Sequence, residues 1–192
     1  MRHDVAAIAK KAGAGGIISG RKSTPAIRER LEAAFQDIRQ GGVEILDFSH
    51  VDVLDFSGAD EVVAKLAGRL AEGEYGTGTL VLTGCNEAVR EGIHAALSTK
   101  GSCLMHFESR KKWSILGELE PYLKETLDLV MRSGTLLARD LATECKLKLN
   151  TASTRLINLL ERRLVIRKED PATKIGREYT YCSPLTAVLQ DA

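Results

Sequence analysis

The chain has 192 residues, enough for one ordinary domain or two small ones with a buried core. Its formal net charge of +1 excludes a bulk electrostatic attraction to nucleic acid, so any such attraction must be local. The four cysteines are scattered without metal-ligand spacing, and no apolar run is long enough to span a bilayer. We therefore expect a cytoplasmic protein without a structural metal, a cofactor or a membrane segment.

The first hundred residues alternate between strand-like and helix-like patterns, which predicts a largely parallel sheet with helices packed on it. A helical turn or two within residues 4–11 comes first. Strands are then predicted at residues 16–19, 43–48, 79–83 and 103–107. Helices are predicted at residues 25–40, 57–71 and 87–97. Ser23 or Thr24 is the predicted cap of the first of these helices, and Asn86 caps the third. Residues 51–56 are apolar enough to stay near the sheet.

Residues 13–23 form a glycine-rich segment that has some features of a phosphate-binding loop. Such a loop needs two glycines with four residues between them, followed directly by Lys and a hydroxyl residue, so that amides and an ammonium group converge on the phosphates. Gly15 and Gly20 have that separation, but Arg21 separates the second glycine from the Lys-Ser pair that should follow it. The hypothesis that the chain is a nucleotide-binding enzyme rests on this segment alone. We interpret the segment instead as containing a short strand.

No pattern typical of catalysis or of metal binding is present. The four histidines lie far apart, and the pair that could meet, Cys103 and His106, does not provide enough ligands for a metal site. Asp47, Asp52 and Asp55 lie near strand ends, where open α/β sheets bind ligands, but capping and loop solvation explain them more simply. We expect that the chain is not an enzyme.

Residues 47–66 contain a strand that ends in an acidic and apolar pair, a short loop, and a helix that begins near Ala59-Asp60-Glu61. This segment resembles the signature region of STAS and STAS-like domains. The resemblance implies a sheet with packed helices over residues 1–112. It also implies a protein partner, such as a histidine-kinase-type ATPase, at the edge that carries Asp55, Ser57 and Asp60.

Ser57 has two interpretations. In the related anti-sigma-factor antagonists, a Ser near this helix start accepts a phosphoryl group, which free amides and the helix dipole stabilise. The acceptor is the first Ser of an Asp-Ser-Ser-Gly pattern, and Phe56 occupies that position here. Ser57, the second Ser of the pattern, is therefore either a phosphorylation site or a plain N-cap of the helix.

Two helical patterns and a basic hairpin follow one another over residues 134–182. A helix at residues 135–145 leads through a turn to a second helix, which is capped by Asn150 or Thr151. Strands are predicted at residues 164–168 and 177–182, with a turn between them. From Ala142 to Cys182, nine Lys or Arg residues stand against five Asp or Glu, a local charge of +4.

This order of elements resembles the winged helix-turn-helix domains of bacterial and archaeal transcription regulators. The residues that carry the resemblance are Leu141-Ala142, Leu159-Leu160-Glu161, residues 164–167 and residues 176–181. The chain departs from the pattern at Arg163, where a Gly usually ends the recognition helix, so we expect a less abrupt helix end. The resemblance implies an α/β domain followed by an α+β domain at residues 113–192, whose first helix lies at residues 121–131.

The resemblance implies a transcription regulator that binds double-stranded DNA. The predicted base contacts, on a helix that enters the major groove, are Thr151, Ser153, Thr154, Arg155 and Asn158. The predicted phosphate contacts are Lys146, Lys148, Lys168, Lys174 and Arg177. Because an operator with two-fold symmetry is bound by two DNA-binding domains, we expect a homodimer. The alternative is an adaptor of a partner-switching system, in which the first domain docks an ATPase and the winged helix binds protein.

Overall fold

The computed structural model describes residues 1–20, 22–35, 41–109, 112–169 and 179–185. The chain divides between Glu118 and Leu119 into two compact units, which we name the N-terminal unit and the C-terminal unit. From the sequence, we predict this boundary after Lys112. The division falls later because Trp113–Gly117 forms a strand that pairs with a strand of the N-terminal unit.

The N-terminal unit is built on a five-stranded sheet. Its strands are Arg2–Asp4 (β1), Val43–Asp47 (β3), Thr79–Thr83 (β5), Cys103–Phe107 (β6) and Trp113–Gly117 (β7). They lie in the order β1-β3-β5-β6-β7, and the first four are parallel. The predicted parallel sheet is therefore confirmed, with β7 added as an antiparallel edge strand.

A second, smaller sheet pairs two segments that lie far apart in sequence. Ile17–Ile18 (β2) runs parallel to Val53–Leu54 (β4), and the backbone N–H of Asp55 donates to the carbonyl of Ile18 at 3.2 Å. The predicted strand at residues 16–19 is confirmed as β2. The pair places the glycine-rich segment beside the helix start that follows β4.

Helices pack on the five-stranded sheet. They are Val5–Lys11 (α1), Thr24–Phe35 (α2), Phe56–Ala59 (α3), a π-helical segment at Asp60–Ala64, Lys65–Glu72 (α4) and Glu87–Thr99 (α5). Asn86 caps α5 as predicted, because its side chain accepts from the backbone N–H of Val89 at 3.0 Å. Leu31, Val62 and Ile93 are fully buried in the core that these helices form with the sheet.

The C-terminal unit combines helices with a three-stranded antiparallel sheet. Its elements are Pro121–Ser133 (α6), Thr135–Leu137 (β8), Ala138–Glu144 (α7), Leu149–Glu161 (α8), Ile166–Glu169 (β9) and Tyr179–Cys182 (β10). The strand order is β8-β10-β9, and α6 and α7 both pack on α8. The prediction of a helix at residues 135–137 is wrong, because Leu136 pairs with Tyr181 of β10. Across the described ranges, no helix has both the length and the apolar character that spanning a bilayer requires.

Candidate nucleic-acid interface and partner surface

The turn between α7 and α8 presents two lysines. The N–H of Leu147 donates to the carbonyl of Ala142 at 2.8 Å, and that of Lys146 to Thr143 at 3.4 Å, which is the Schellman pattern of a helix end. Lys146 has a φ of +53°, the left-handed conformation that usually belongs to glycine. Lys146 and Lys148 are both exposed, and neither forms a salt bridge with any described residue.

The start of α8 lacks a side-chain cap. Lys148 occupies the N-cap position with a φ of −67° and a ψ of 144°, and no side chain accepts from the first amides of the helix. The prediction of Asn150 or Thr151 as N-cap is therefore wrong. The compact end of α7 at Lys146 leaves a short turn, so the chain re-enters the helical conformation at Leu149. The uncapped amides at this end are suited to an anion.

The exposed face of α8 carries no basic residue. Ala152, Leu156 and Leu159 are buried. The exposed residues of the helix are Leu149, Asn150, Thr151, Thr154, Ile157 and Glu161. Of the predicted base contacts, Thr151 and Thr154 lie on this face, and Ser153 and Asn158 are half-buried beside it.

Arg155 does not share that exposed face. Its side chain is 17% exposed, and its Nη1 lies 3.2 Å from Oε2 of Glu125 on α6. Its guanidinium carbon also lies 5.3 Å from the centroid of the Tyr122 ring, within the range of a cation–π contact. Arg155 therefore joins α8 to α6. The spacing of apolar residues along α8 could not reveal this, since Glu125 lies thirty positions earlier.

The C-terminal end of α8 is abrupt, contrary to the expectation drawn from Arg163. The N–H of Leu164 donates to Leu159 at 3.0 Å and that of Arg163 to Leu160 at 2.9 Å, a second Schellman pattern. Arg163 takes the left-handed conformation itself, with a φ of +59°. Its Nε atom is buried and has no hydrogen-bond partner among the described residues.

Strand β9 adds two further cations. Arg167 and Lys168 are exposed, and the guanidinium carbon of Arg167 lies 4.4 Å from the centroid of the Tyr179 ring on β10. Burial raises the pKa of Tyr181, which Arg167 opposes, so this phenol stays neutral at physiological pH. The predicted contacts Lys174 and Arg177 lie outside the described residues.

The three predicted partner-binding residues of the N-terminal unit lie within two turns of helix. Asp55 is the N-cap of α3, because its Oδ1 accepts from the N–H of Gly58 at 2.7 Å, while its Oδ2 accepts from Gly20 at 3.1 Å. The interpretation of Ser57 as the N-cap is therefore wrong. Ser57 is half-buried in the first turn, and its hydroxyl forms no hydrogen bond with a described residue. Asp60 lies 3.5 Å from Nζ of Lys100.

An exposed apolar surface lies beside this helix start, and sequence reasoning missed it. Ile17 and Val53 are register partners in the β2–β4 pair, with exposures of 59% and 41%. Phe56, the first residue of α3, is 49% exposed. We name these three residues the apolar patch. Phe56 in place of the expected hydroxyl was the one available signal in the sequence.

The glycine-rich segment next to the patch has a structural role. The amide of Gly20, which a phosphate-binding loop would direct at a phosphate, donates to the Asp55 carboxylate at 3.1 Å. Ile17 and Ile18 form β2 within the segment. Comparison with known proteins finds no family model, no curated protein and no solved structure that matches this chain.

Proposed function

We propose that the chain is a DNA-binding transcription regulator whose C-terminal unit is a winged helix-turn-helix domain. The observation that supports this most is the arrangement around α8. The exposed residues of α8 from Leu149 to Ile157 are all uncharged. In the sequence they stand between the exposed cations before the helix, Lys146 and Lys148, and those of β9, Arg167 and Lys168. Phosphate contacts position a protein on DNA, and side-chain donors, acceptors and methyl groups read the base edges in the groove between the two backbones.

In this proposal, α8 enters the major groove with its residues 149–158. The uncapped amides at Leu149 and the exposed ammonium groups of Lys146 and Lys148 approach one phosphate backbone. Strand β9 brings Lys168 to the other side of the groove. Arg155 acts as a positioning residue that fixes the angle between α8 and α6 through Glu125, and it makes no base contact.

We propose that the N-terminal unit is a STAS-like domain that docks a protein partner at the apolar patch. Apolar side chains as exposed as Ile17 and Phe56, in the β2–β4 pair and at the helix start that follows it, are typical of an interaction surface. An ATPase of the histidine-kinase type is the partner class that the family resemblance implies. DNA binding at two half-sites requires a homodimer, which the same unit or α6 would hold together.

The second candidate function is an adaptor without DNA binding, and the apolar patch together with the formal net charge of +1 favours it. In that case α8 is a protein-binding surface, since Ile157 and Leu149 are exposed on it. The two candidates differ in what the lysines before α8 do. In a DNA-binding protein these lysines contribute to the affinity for duplex DNA. In an adaptor they are solvent-exposed and contribute nothing to binding.

The test is the salt dependence of duplex binding by the double variant Lys146→Ala/Lys148→Ala, measured by fluorescence anisotropy with a labelled mixed-sequence duplex. For each bound C-terminal unit, two lost phosphate contacts reduce the steepness of log affinity against log salt by about 1.8. The matched control is Lys10→Ala/Lys11→Ala, which removes two exposed lysines from α1 of the other unit. Equal slopes for both double variants, or no binding at about 50 mM salt, would overturn the DNA-binding proposal.

A further inference from the structure

We propose that α8 selects A·T base pairs, and that it does so through thymine methyl groups and adenine edges in the major groove. The inference rests on the proposed DNA-binding function and names the class of base pair that this site recognises. Three observations carry it: the methyl groups on the exposed face, the free carboxamides beside them, and the commitment of the helix's basic residue to α6.

The methyl groups come from Thr154 and Ile157. The hydroxyl of Thr154 donates to the carbonyl of Asn150 at 2.9 Å, so the methyl group is the part of this side chain left for an outward contact. Ile157 is 37% exposed one turn later. Three residues of helix advance about 4.5 Å along the axis, comparable with the roughly 3.4 Å between successive bases. Both side chains can therefore contact the apolar C5-methyl groups of neighbouring thymines.

The carboxamides come from Asn150 and Asn158. Asn150 is exposed and Asn158 is half-buried at the edge of the exposed face, and neither side chain forms a hydrogen bond with a described residue. An Asn carboxamide can donate to N7 and accept from the N6 amino group of adenine at the same time. Adenine is the one base whose major-groove edge offers that donor and acceptor together.

Guanine recognition has no comparable side chain on α8. The usual reader of guanine is an arginine that donates to both O6 and N7, and Arg155 is the one basic residue of Leu149–Glu161. Its guanidinium is held by Glu125 and Tyr122. Glu161 could accept from a cytosine amino group, but it is the last residue of α8 and lies beyond the residues that enter the groove in this proposal.

The first experiment selects duplexes from a randomised library at low salt with the full chain, and then sequences them. We expect A·T pairs at the enriched central positions of each half-site. Deoxyuridine is next substituted for each of these thymines, which removes the methyl group and leaves Watson–Crick pairing intact. Each contacted methyl group should contribute about fourfold in affinity. Enriched G·C pairs, or affinity unchanged by every deoxyuridine substitution, would overturn the inference.

A double-mutant cycle ties the effect to a side chain. Ile157→Ala should weaken binding to thymine-containing duplex about fourfold or more and should leave binding to the matching deoxyuridine duplex unchanged, because the partner methyl is already absent. Thr77→Ala, which truncates an exposed β-branched side chain in the other unit, is the control and should change neither affinity. Additive effects of Ile157→Ala and deoxyuridine at every position would count against α8 as the reader.

The outcomes separate this inference from the proposed function. If the chain binds duplex DNA in a lysine-dependent manner but enriches G·C pairs, the DNA-binding proposal stands and A·T selection fails. If no duplex binds at low salt, both fail together. Arg155→Ala adds an independent measurement. Because Arg155 is a positioning residue in this proposal, its loss should lower the affinity for duplex DNA and leave the preferred base pairs unchanged, whereas a changed preference would make Arg155 a base contact.

Discussion

Substitution of Lys146 separates the contribution of its backbone conformation from that of its charge. At a φ of +53°, a side chain costs about 1–2 kcal/mol relative to glycine, whereas glycine loses about 0.5–1 kcal/mol more entropy on folding. Lys146→Gly should therefore make the C-terminal unit about 0.5–1 kcal/mol more stable than Lys146→Ala does. Both variants lack the ammonium group, so both should bind duplex DNA equally weakly.

Hydrogen exchange at amides of α7 and α8 measures this stability difference, because it follows the unfolding of the C-terminal unit separately from that of the rest of the chain. Anisotropy titrations of the same proteins should show slopes of log affinity against log salt that are shallower than wild type by about 0.9. If the alanine variant equals or exceeds the glycine variant in stability, Lys146 is not strained. If the two variants differ in DNA affinity, the charge is not what Lys146 contributes.

Four further variants test the fold at other positions. In urea unfolding, Gly68→Ala should raise the free energy of unfolding by about 0.5–1 kcal/mol, since its added Cβ meets no atom within 4 Å. Gly92→Ala should lower it by about 1–3 kcal/mol, because a Cβ there would lie 2.5 Å from the carbonyl oxygen of Leu54; equal effects would refute this packing. Burial lowers the pKa of His106, and neither ring nitrogen has a hydrogen-bond partner among the described residues, so wild-type stability should fall as the pH drops below about 6.5. His106→Leu should weaken that pH dependence in parallel urea titrations, and an unchanged profile would show that His106 is not its source. Arg163→Gly should stabilise α8 against hydrogen exchange by about 0.5–1 kcal/mol, because Arg163 has a left-handed φ of +59°. A loss of protection would show that the packing of the arginine stem contributes more than this strain costs.

Most strands of the N-terminal sheet could be predicted because the residues of each strand carry the pattern that identifies it. Thr79–Thr83 and Cys103–Phe107 are continuous runs without Gly or Pro, and all ten residues are buried, as expected for parallel strands covered on both faces. Asn86 could be predicted as a cap because a side-chain carboxamide at a helix start accepts from a free backbone N–H of the first turn. In these cases, local chemistry and tertiary structure agree.

The elements that sequence reasoning missed depend on distant partners. Arg2–Asp4 is a strand because it pairs with Ile45 and its neighbours, and its own two charged residues gave no sign of that. Leu136 fits a helical spacing with the following residues, yet it pairs with Tyr181. At the candidate site, the exposed positions of α8 were partly predictable from its apolar stripe. The contact of Arg155 with Glu125 could not be predicted, because a long side chain at the edge of a helix face can extend towards solvent or towards a neighbouring helix.

The central claim is that the C-terminal unit binds duplex DNA through the cations on either side of α8. Its most direct test is the affinity of the full chain for a labelled A·T-rich duplex between about 50 mM and about 200 mM salt. Four phosphate contacts from Lys146, Lys148, Arg167 and Lys168 predict a slope of about −3.6 for each bound C-terminal unit, and twice that for a homodimer on two half-sites. Absence of binding at the lowest salt, or a slope near zero, would contradict the claim.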